Sequence, residues 1–226
     1  MIVSISQPTV FPWLGYFNMI KNSDVFVFLD NVKFEKHSWQ MRNKIKEITK
    51  SGESETWIRI PTRLEKSDTM IKDVIIDNSQ NWKEKHIKAF RINYGKSYGE
   101  LKFLNDIYDK SWQNLTDFNM MCIKGCCDFL NIKTKMIRAS DMSANGKKSQ
   151  LILNICKEAG ATKYLSAMGS KVYLENDRKI FEDENIEIIY HNYSHPIYRQ
   201  RGKIFIPNLS ILDLLFNEQI HAKQFI

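Results

Sequence analysis

The stretch that decides the fold is Ile2-Val3-Ser4-Ile5-Ser6-Gln7-Pro8-Thr9-Val10-Phe11-Pro12-Trp13-Leu14-Gly15-Tyr16-Phe17. Strand-like residues come first, and a loop with two prolines leads into an apolar, helix-like segment. Pro8 favours extended geometry at Gln7, and Pro12 is typical of a helix start. This order predicts a strand, a structured loop and a helix N-terminus, which is where open α/β sheets bind ligands. The alternative is a hydrophobic loop that closes the edge of a core.

A second strand is predicted close behind the first. Residues 25–29 form a continuous apolar run that is typical of a buried strand, and Asp30 follows it. A strand, a helix and a strand within about thirty residues indicate a right-handed βαβ unit. Gln7 and Asp30 would then both follow carboxyl ends of parallel strands. Strand and helix patterns alternate further on, so we predict one α/β domain over 1–226, with a mostly parallel Rossmann-like sheet and a helical insertion over 78–130.

Composition restricts the class of partner. The 226 residues carry a net charge of +7, with a pI near 9.1, which suits nucleic acid, a nucleotide-linked substrate or an anionic membrane surface. The alternative is a lysine-rich host composition. The sequence has no bilayer-length apolar run and no signal-peptide pattern, so we expect a cytoplasmic protein without a membrane span. The four cysteines form no CxxC pair, which predicts buried thiols and no metal site.

A first polar and aromatic cluster lies in residues 34–45. His37, Trp39, Arg42 and Asn43 belong to it. The Arg42 guanidinium suits a phosphate or carboxylate, and Trp39 offers a flat face to a sugar or base. The alternative is a solvated amphipathic strand with Arg42 in a surface ion pair. Residues 36–60 are predicted to form a hairpin with a long polar tip.

Later parts of the chain add further candidates. Ser166 ends a short strand before the loop 167–170, and a second polar and aromatic cluster lies in 195–200. His86 shares a helix face with apolar residues, which favours packing over catalysis. Asp213 lies three residues after Ser210, so it is either a capping-box residue or a functional carboxylate.

Several motifs together resemble the WbqC-like family. They are the segments 6–17, 24–32, 39–45, 57–61, 164–166, 195–200 and 209–217, so the resemblance covers nearly the whole chain. Two positions differ from the family pattern, since Ala167 stands where the family tends to have glycine, and Gln219 stands near where it tends to have a closing glycine. The resemblance implies a cytoplasmic step in bacterial O-antigen or capsule polysaccharide biosynthesis. It implies no established catalytic residue.

The resemblance and the two clusters lead to a functional hypothesis. The protein is expected to be a transferase that modifies a sugar nucleotide or lipid-linked sugar, favoured as acyl or aminoacyl transfer to an amino sugar. An activated acyl or aminoacyl donor, carried by tRNA or an acyl carrier, would be the co-substrate. One alternative is a nucleotide-dependent nucleotidyltransferase, a ligase or a glycosyltransferase. Another is a non-catalytic RNA-binding module, for example for aminoacyl-tRNA.

In this hypothesis each candidate residue has a role. His195 or His37 is the general base, because imidazole titrates near neutral pH, and Asp30 or Asp213 orients it. No nucleophile elbow is present, so direct transfer is favoured over a covalent intermediate. The substrate-binding candidates are Gln7, Trp13, Gly15, Tyr16, Trp39, Arg42, Asn43, Ser166, Tyr198 and Gln200. We expect Gln7, Asp30, Arg42 and His195 to converge in a single cleft at one edge of the sheet.

Overall fold

The fold was obtained as a computed structural model that describes residues 1–64 and 66–226. The backbone divides into two compact units. The first contains residues 1–7, 15–31 and 132–194, and the second contains residues 8–14, 32–131 and 195–226. The description as one domain over 1–226 stays a prediction. In the part of the chain that the structure describes, no helix is both long and apolar enough to cross a bilayer.

The first unit is built on a five-stranded parallel sheet. Its strands are β1 (Ile2–Ser6), β2 (Val25–Phe28), β7 (Lys135–Arg138), β8 (Lys163–Ala167) and β9 (Glu187–His191). They lie in the order β7-β2-β1-β8-β9, and every neighbouring pair is parallel. Relative to the chain this is the order 3-2-1-4-5 of a Rossmann fold, in which the direction of winding reverses beside the first strand. The predicted Rossmann-like α/β class is confirmed.

Helices connect these strands, as parallel pairing requires. They are α1 (Leu14–Lys21), α5 (Lys148–Glu158), α6 (Lys171–Asn176) and α7 (Arg178–Glu182). All residues of β2 are buried, which explains its uninterrupted apolar sequence. The predicted βαβ unit is confirmed by the parallel register of β1 and β2, in which Ser6 pairs with Phe28.

The second unit combines two short antiparallel pairs with helices. The strands are β3 (Arg42–Thr49), β4 (Gly52–Arg59), β5 (Thr62–Arg63) and β6 (Ile75–Ile76). The helices are α2 (Trp82–Tyr94), α3 (Lys102–Asp109), α4 (Leu115–Phe129) and α8 (Ile211–Glu218). Three of these helices fall within the predicted helical insertion over 78–130. Their core is aromatic, with Trp82, Phe90, Tyr108, Phe118 and Phe216 all buried.

His86 lies in this aromatic core. Its side chain is buried, and its Nδ1 and Nε2 atoms lie 2.9 Å from the Tyr108 hydroxyl and the Arg59 carbonyl oxygen. The carbonyl can only accept, so Nε2 carries the proton and Nδ1 accepts from Tyr108. Burial lowers the pKa of His86 to about 4. The interpretation of His86 as a packed residue is confirmed.

One local prediction, the shape of the hairpin, was wrong in detail. The hairpin has no long polar tip, because β3 and β4 pair as far as Thr49 and Gly52. Gly52 has a φ of +143°, a backbone conformation that glycine alone adopts without strain, and this permits the tight turn. After the hairpin, the chain forms a 3-10 turn over Ile71–Asp73, followed by the two-residue β6.

The four cysteines are buried, as predicted. Cys122, Cys126 and Cys127 lie on α4, and Cys156 lies on α5. Burial raises the pKa of all four thiols above the ordinary value. A raised pKa keeps a thiol protonated at neutral pH, so these side chains serve packing rather than nucleophilic chemistry.

Candidate functional site

The carboxyl edge of the parallel sheet is the first candidate surface, and it lies in the first unit. The switch in winding falls between β1 and β8, and open α/β sheets bind their ligands beside such a switch. Gln7 directly follows β1, and Ser166 is the penultimate residue of β8. Two predicted substrate-binding residues therefore lie on the two strands that border the switch. Gln7 is half-buried and Ser166 is buried.

The start of α1 is tied to the end of β1. The Tyr16 hydroxyl donates a hydrogen bond of 3.0 Å to the Gln7 carbonyl oxygen. Tyr16 also packs on Phe26 of β2, with a ring separation of 5.2 Å. Gly15, in the first turn of the helix, is buried. Tyr16 thus positions the backbone at the carboxyl end of β1.

Asp30 connects the carboxyl ends of two neighbouring strands. Its carboxylate accepts hydrogen bonds from the Ser140 backbone N–H at 2.9 Å and from the Ser140 hydroxyl at 2.8 Å. Asp30 is fully buried. Both carboxylate oxygens are therefore committed to the loop after β7. Asp30 thus holds the edge of the sheet together. It bonds to no histidine among the residues that the structure describes, and its role in orienting one stays a prediction.

His191, at the carboxyl end of β9, was not among the predicted site residues. Its Nε2 atom lies 2.7 Å from Oδ1 of Asn18 on α1. Oδ1 also accepts from the Asn22 side chain at 3.1 Å, which fixes the amide orientation. Nε2 must then carry the proton, and Nδ1 keeps its lone pair, with no hydrogen bond among the residues that the structure describes. Partial burial lowers the pKa of His191, so the ring is neutral at pH 7.

The same rule that singled out Gln7 and Asp30 applies to His191. It is the last residue of an alternating strand pattern over 186–191, and a parallel sheet brings the ends of its strands to one edge. The position of His191 at the end of a strand could therefore have identified it as a candidate site residue from the sequence. Asn18 gave no signal, because a polar residue on a helix is ordinary.

A second candidate surface lies on the β3–β4 hairpin of the second unit. Trp39 and Trp57 are 53% and 41% exposed, and their ring centroids lie 5.7 Å apart. The Arg42 guanidinium lies 4.3 Å from the centre of the Trp57 ring. Lys44, directly opposite Trp57 in the strand register, lies 5.0 Å from the same ring. We call these four residues the tryptophan face.

This face combines two chemistries that nucleotides require. Exposed indole rings stack on planar bases and on the apolar faces of sugars. The guanidinium of Arg42 stays charged and can pair with phosphate in a forked geometry. Lys44 forms an ion pair with Glu55 across the hairpin, which leaves Arg42 as the phosphate-binding candidate. Trp57 was missed in the sequence because it looked like an ordinary strand residue.

His37 lies close to this hairpin in sequence and is exposed. Its φ of +62° places it in the left-handed region, in the turn before β3. Its backbone N–H points at the Met41 sulfur at 3.4 Å. No buried carboxylate bonds to the His37 ring among the described residues. Its proposed role as general base stays a prediction.

Asn43 supports the loop that follows β1. Its side-chain amide donates to the carbonyl oxygens of Val10 and Phe11 at 2.9 and 2.7 Å, and its own oxygen accepts from the Lys44 N–H. Phe11 has a φ of +40°, which is strained for a bulky residue. Asn43 therefore stabilises this strained turn.

Asp213 is the centre of a buried network in the second unit. Its carboxylate accepts hydrogen bonds from the hydroxyls of Tyr94 at 2.7 Å and Tyr198 at 2.8 Å, and from the Gln200 side chain at 2.8 Å. Burial raises the pKa of Asp213, and the three donors oppose that rise. Ser210 caps α8 by accepting from Leu212, but the Asp213 carboxylate bonds elsewhere. The capping-box interpretation of Asp213 is wrong, because three distant donors occupy its oxygens.

His195 lies at the other end of the same cluster. Its ring stacks on Trp13 at a centroid distance of 6.4 Å and lies 6.1 Å from the Tyr198 ring. Nδ1 bonds to the Pro196 carbonyl oxygen at 2.9 Å, and Nε2 accepts from the Asn208 N–H at 3.2 Å. Partial burial lowers the pKa of His195. Both ring nitrogens thus have hydrogen-bond partners. His195 can act as a base only after the bond from the Asn208 N–H to its Nε2 atom is broken.

The predicted site residues fall into two groups. Gln7, Gly15, Tyr16, Asp30 and Ser166 belong to the first unit, and Trp13, His37, Trp39, Arg42, Asn43, His195, Tyr198, Gln200 and Asp213 belong to the second. Within the second unit, Trp13, His195, Tyr198, Gln200 and Asp213 form one continuous set of contacts. The expected cleft shared by Gln7, Asp30, Arg42 and His195 stays a prediction.

Comparison with known proteins identifies the family. The chain is 29% identical over 230 residues to the uncharacterized protein Rv1507c of Mycobacterium tuberculosis, and the match covers 99% of this chain and 96% of that protein. No solved structure matches the chain. The model of the WbqC-like protein family matches residues 7–225. The chain therefore belongs to the WbqC-like protein family.

Proposed function

We propose that this protein is a transferase that modifies a nucleotide-linked or lipid-linked sugar in the assembly of a bacterial surface polysaccharide. The favoured reaction is transfer of an acyl or aminoacyl group to the amine of an amino sugar. The observation that carries the proposal is the strand order β7-β2-β1-β8-β9, with Gln7 directly after β1 and Ser166 in β8, the two strands at the switch. The tryptophan face supports it, because indole rings and a guanidinium suit a phosphorylated sugar.

The proposed reaction is a direct transfer. The sugar amine attacks the carbonyl carbon of an activated thioester or ester, a new C–N bond forms, and the bond to the carrier breaks. A base takes one proton from the amine, and the carrier leaves as a thiol or alcohol. Deeply buried cysteines agree with the absence of a covalent acyl-enzyme.

Three histidines are candidates for the role of base, namely His191, His195 and His37. His195 was predicted for it, but both of its ring nitrogens are engaged. His191 has a fixed tautomer with a lone pair on Nδ1, and it lies at the carboxyl end of β9. We therefore rank His191 above His195 as the proton acceptor.

Binding and turnover test the proposal separately. Isothermal titration calorimetry with uridine- and thymidine-diphosphate amino sugars measures substrate binding. Incubation of the bound sugar with acyl-CoA or aminoacyl-tRNA donors, followed by mass spectrometry, measures transfer. We expect a sugar product heavier by one acyl group, with turnover lost in His191→Ala and kept in His221→Ala, because His221 is exposed on a 3-10 turn. Failure of every nucleotide sugar to bind would contradict the proposal.

Nucleotidyl transfer, ligation and glycosyl transfer are distinguished in the same experiment. A nucleotidyltransferase or ligase consumes ATP or another nucleoside triphosphate, and a glycosyltransferase releases a nucleoside diphosphate. Acyl transfer leaves the sugar nucleotide intact except at the amine. Phosphorus NMR of the reaction mixture therefore separates the three reactions.

RNA binding is the second candidate function, and the tryptophan face favours it. Half-exposed indole rings beside cations are typical of surfaces that bind single-stranded nucleic acid. The expected signature is affinity for a single-stranded oligonucleotide that falls steeply as salt rises. An affinity for nucleotide sugars with none for RNA would exclude this function.

A further inference from the structure

The isoleucines that are more than half exposed lie in two parts of the second unit. Ile197 is 80% exposed, Ile220 is 72%, Ile92 is 58% and Ile204 is 57%. Ile92 lies near the end of α2, and the other three lie in the C-terminal segment 195–226. Most isoleucines of the described chain are buried or half-buried, so these four differ from the rest.

Backbone contacts connect these positions to one another. The Arg199 N–H donates to the Glu218 side chain, and the Arg201 N–H donates to the Asn217 side chain, both at 2.9 Å. These bonds hold the segment of Ile197 along the end of α8, just before Ile220. The Arg201 guanidinium donates to the carbonyl oxygens of Ile92 and Asn93. These contacts place the segment that bears Ile197 and Ile204 beside the ends of α8 and α2, where Ile220 and Ile92 lie. We call these four residues the isoleucine face.

The segment that bears Ile197 and Ile204 is held firmly in place. The Glu53 carboxylate accepts the backbone N–H groups of Lys203 at 2.7 Å and Ile204 at 3.0 Å. Gly202 has a φ of +96°, and a Cβ there would lie 2.4 Å from the Glu53 carboxylate. Gln200 also bonds to both backbone groups of Ile206. The exposure of these isoleucines is thus a property of a well-anchored loop.

The segment that bears three of the four isoleucines is basic, and the Glu53 carboxylate that contacts it is paired with Lys46. The segment 195–226 contains two acidic residues, of which Asp213 is buried and Glu218 accepts from Arg199. Its cations, Arg199, Arg201, Lys203 and Lys223, are all exposed. Exposed aliphatic side chains among cations suit the surface of an anionic bilayer. The aliphatic side chains insert at the boundary between headgroups and acyl chains, and the cations pair with the anionic headgroups.

We propose that the isoleucine face binds the surface of a membrane that contains anionic lipids. Aliphatic side chains favour a bilayer over RNA, since RNA-binding surfaces use aromatic rings for stacking. The proposal goes beyond the transfer reaction and is independent of it. Contact with the membrane would bring the protein to lipid-linked sugars.

Vesicle sedimentation tests the proposal. Vesicles of phosphatidylcholine with one third phosphatidylglycerol, and vesicles of phosphatidylcholine alone, are mixed with the full chain and pelleted. We expect binding to the anionic vesicles that weakens at high salt, and much weaker binding to the neutral ones. The double substitution Ile197→Ser and Ile220→Ser should lower the partition coefficient roughly tenfold or more, because it removes apolar contacts with the acyl boundary.

Matched variants separate the contribution of the cations to vesicle binding from that of the isoleucines. Arg199→Gln and Lys223→Gln should each lower binding to anionic vesicles about fivefold, since each cation near such a surface contributes comparably. Val172→Ser removes an apolar side chain that is 82% exposed in the first unit and should leave binding unchanged. Thermal unfolding of every variant confirms that the fold is kept.

Three results would overturn the proposal. The first is no sedimentation with anionic vesicles, and the second is equal binding by the wild type and the double isoleucine variant. The third is binding to single-stranded RNA that the isoleucine substitutions weaken while vesicle binding is absent. Since sedimentation requires no turnover, none of these results bears on the proposed transfer reaction.

Discussion

Nε2 of His191 lies 2.7 Å from Oδ1 of Asn18, and this contact joins the carboxyl end of β9 to α1. An amide oxygen only accepts, so the ring is held as the Nε2–H tautomer. We expect nitrogen NMR to show this tautomer and a pKa of His191 below the ordinary 6.5, because the ring is partly buried. Asn18→Asp should raise the pKa by about one unit, since a carboxylate favours the charged imidazole.

His221 provides the control for this titration, because it is exposed. The nitrogen resonances of His221 should be the same in Asn18→Asp as in the wild type. An Nδ1–H tautomer in His191, or no response of its pKa to Asn18→Asp, would contradict the assigned geometry.

The buried Asp213 network should stabilise the second unit. Asp213→Ala leaves the hydroxyls of Tyr94 and Tyr198 and the Gln200 amide without their acceptor, so we expect a loss of about 3 kcal/mol or more. Tyr94→Phe removes one bond to Asp213 and one from the Lys46 N–H and should cost about 1–2 kcal/mol. Urea unfolding measures both values.

Tyr173 offers the matched control for Tyr94, because it is 46% exposed. Tyr173→Phe should change the free energy of unfolding by less than about 0.5 kcal/mol. Equal effects at positions 94 and 173 would show that the network contributes nothing to stability.

His86 should make stability depend on pH in mildly acid solution. Its pKa is about 4 in the folded protein and close to 6.5 when unfolded. A lowered folded pKa means that the contribution is complete above pH 6.5 and is lost as the pH falls towards 4. The loss over this range should be about 3 kcal/mol.

His86→Gln tests this origin, because glutamine does not titrate. The variant should be less stable at pH 7, with a flatter profile between pH 6.5 and 4. His221→Gln should keep the wild-type profile. If the free energy of unfolding depends on pH in His86→Gln as it does in the wild type, groups other than His86 cause that dependence.

The tryptophan face should bind nucleotides. We expect uridine diphosphate to quench tryptophan fluorescence, and Trp39→Ala to weaken binding by about 1–3 kcal/mol, the value of one stacked base. Arg42→Gln should weaken the binding of uridine diphosphate more than the binding of uridine, because only the diphosphate carries phosphate groups that the guanidinium can bind.

Trp112→Phe is the control for quenching, because the Trp112 indole N–H donates within the fold to the Ile107 carbonyl. Quenching should be the same in this variant as in the wild type. If uridine diphosphate quenches the fluorescence of Trp39→Ala as strongly as that of the wild type, the nucleotide binds elsewhere.

Gln219 occupies a backbone conformation that suits glycine. It ends α8 with a φ of +50° and a ψ of −124°, a region that costs a residue with a side chain about 1–3 kcal/mol. Gln219→Gly should therefore stabilise the protein by about 1 kcal/mol, after the greater chain entropy of glycine is counted. Thermal unfolding measures the gain.

Ala167 is the control, since it stands where the family tends to have glycine. Its φ is −61°, which alanine adopts without strain. Ala167→Gly should destabilise the protein by about 0.5–1 kcal/mol. A gain at position 167, or a loss at 219, would contradict the conformational argument.

The sequence alone determined the class of fold and the local elements. Apolar runs such as 25–29 and the proline-marked loop over 8–12 depend on neighbours in the chain, so strands, helices and their parallel connection were predictable. The positions of Gln7 and Asp30 after parallel strands followed from the same local rules. The family could also be recognised from motifs along the chain.

Only the tertiary structure decided which polar side-chain atoms have hydrogen-bond partners. Asp213 meets Tyr94 across 119 positions, and Asp30 meets Ser140 across 110. His191 gains its tautomer from Asn18 across 173 positions, while His195 has both nitrogens engaged. A side chain's hydrogen bonds and burial depend on groups that folding brings from distant parts of the chain, and no local pattern records them.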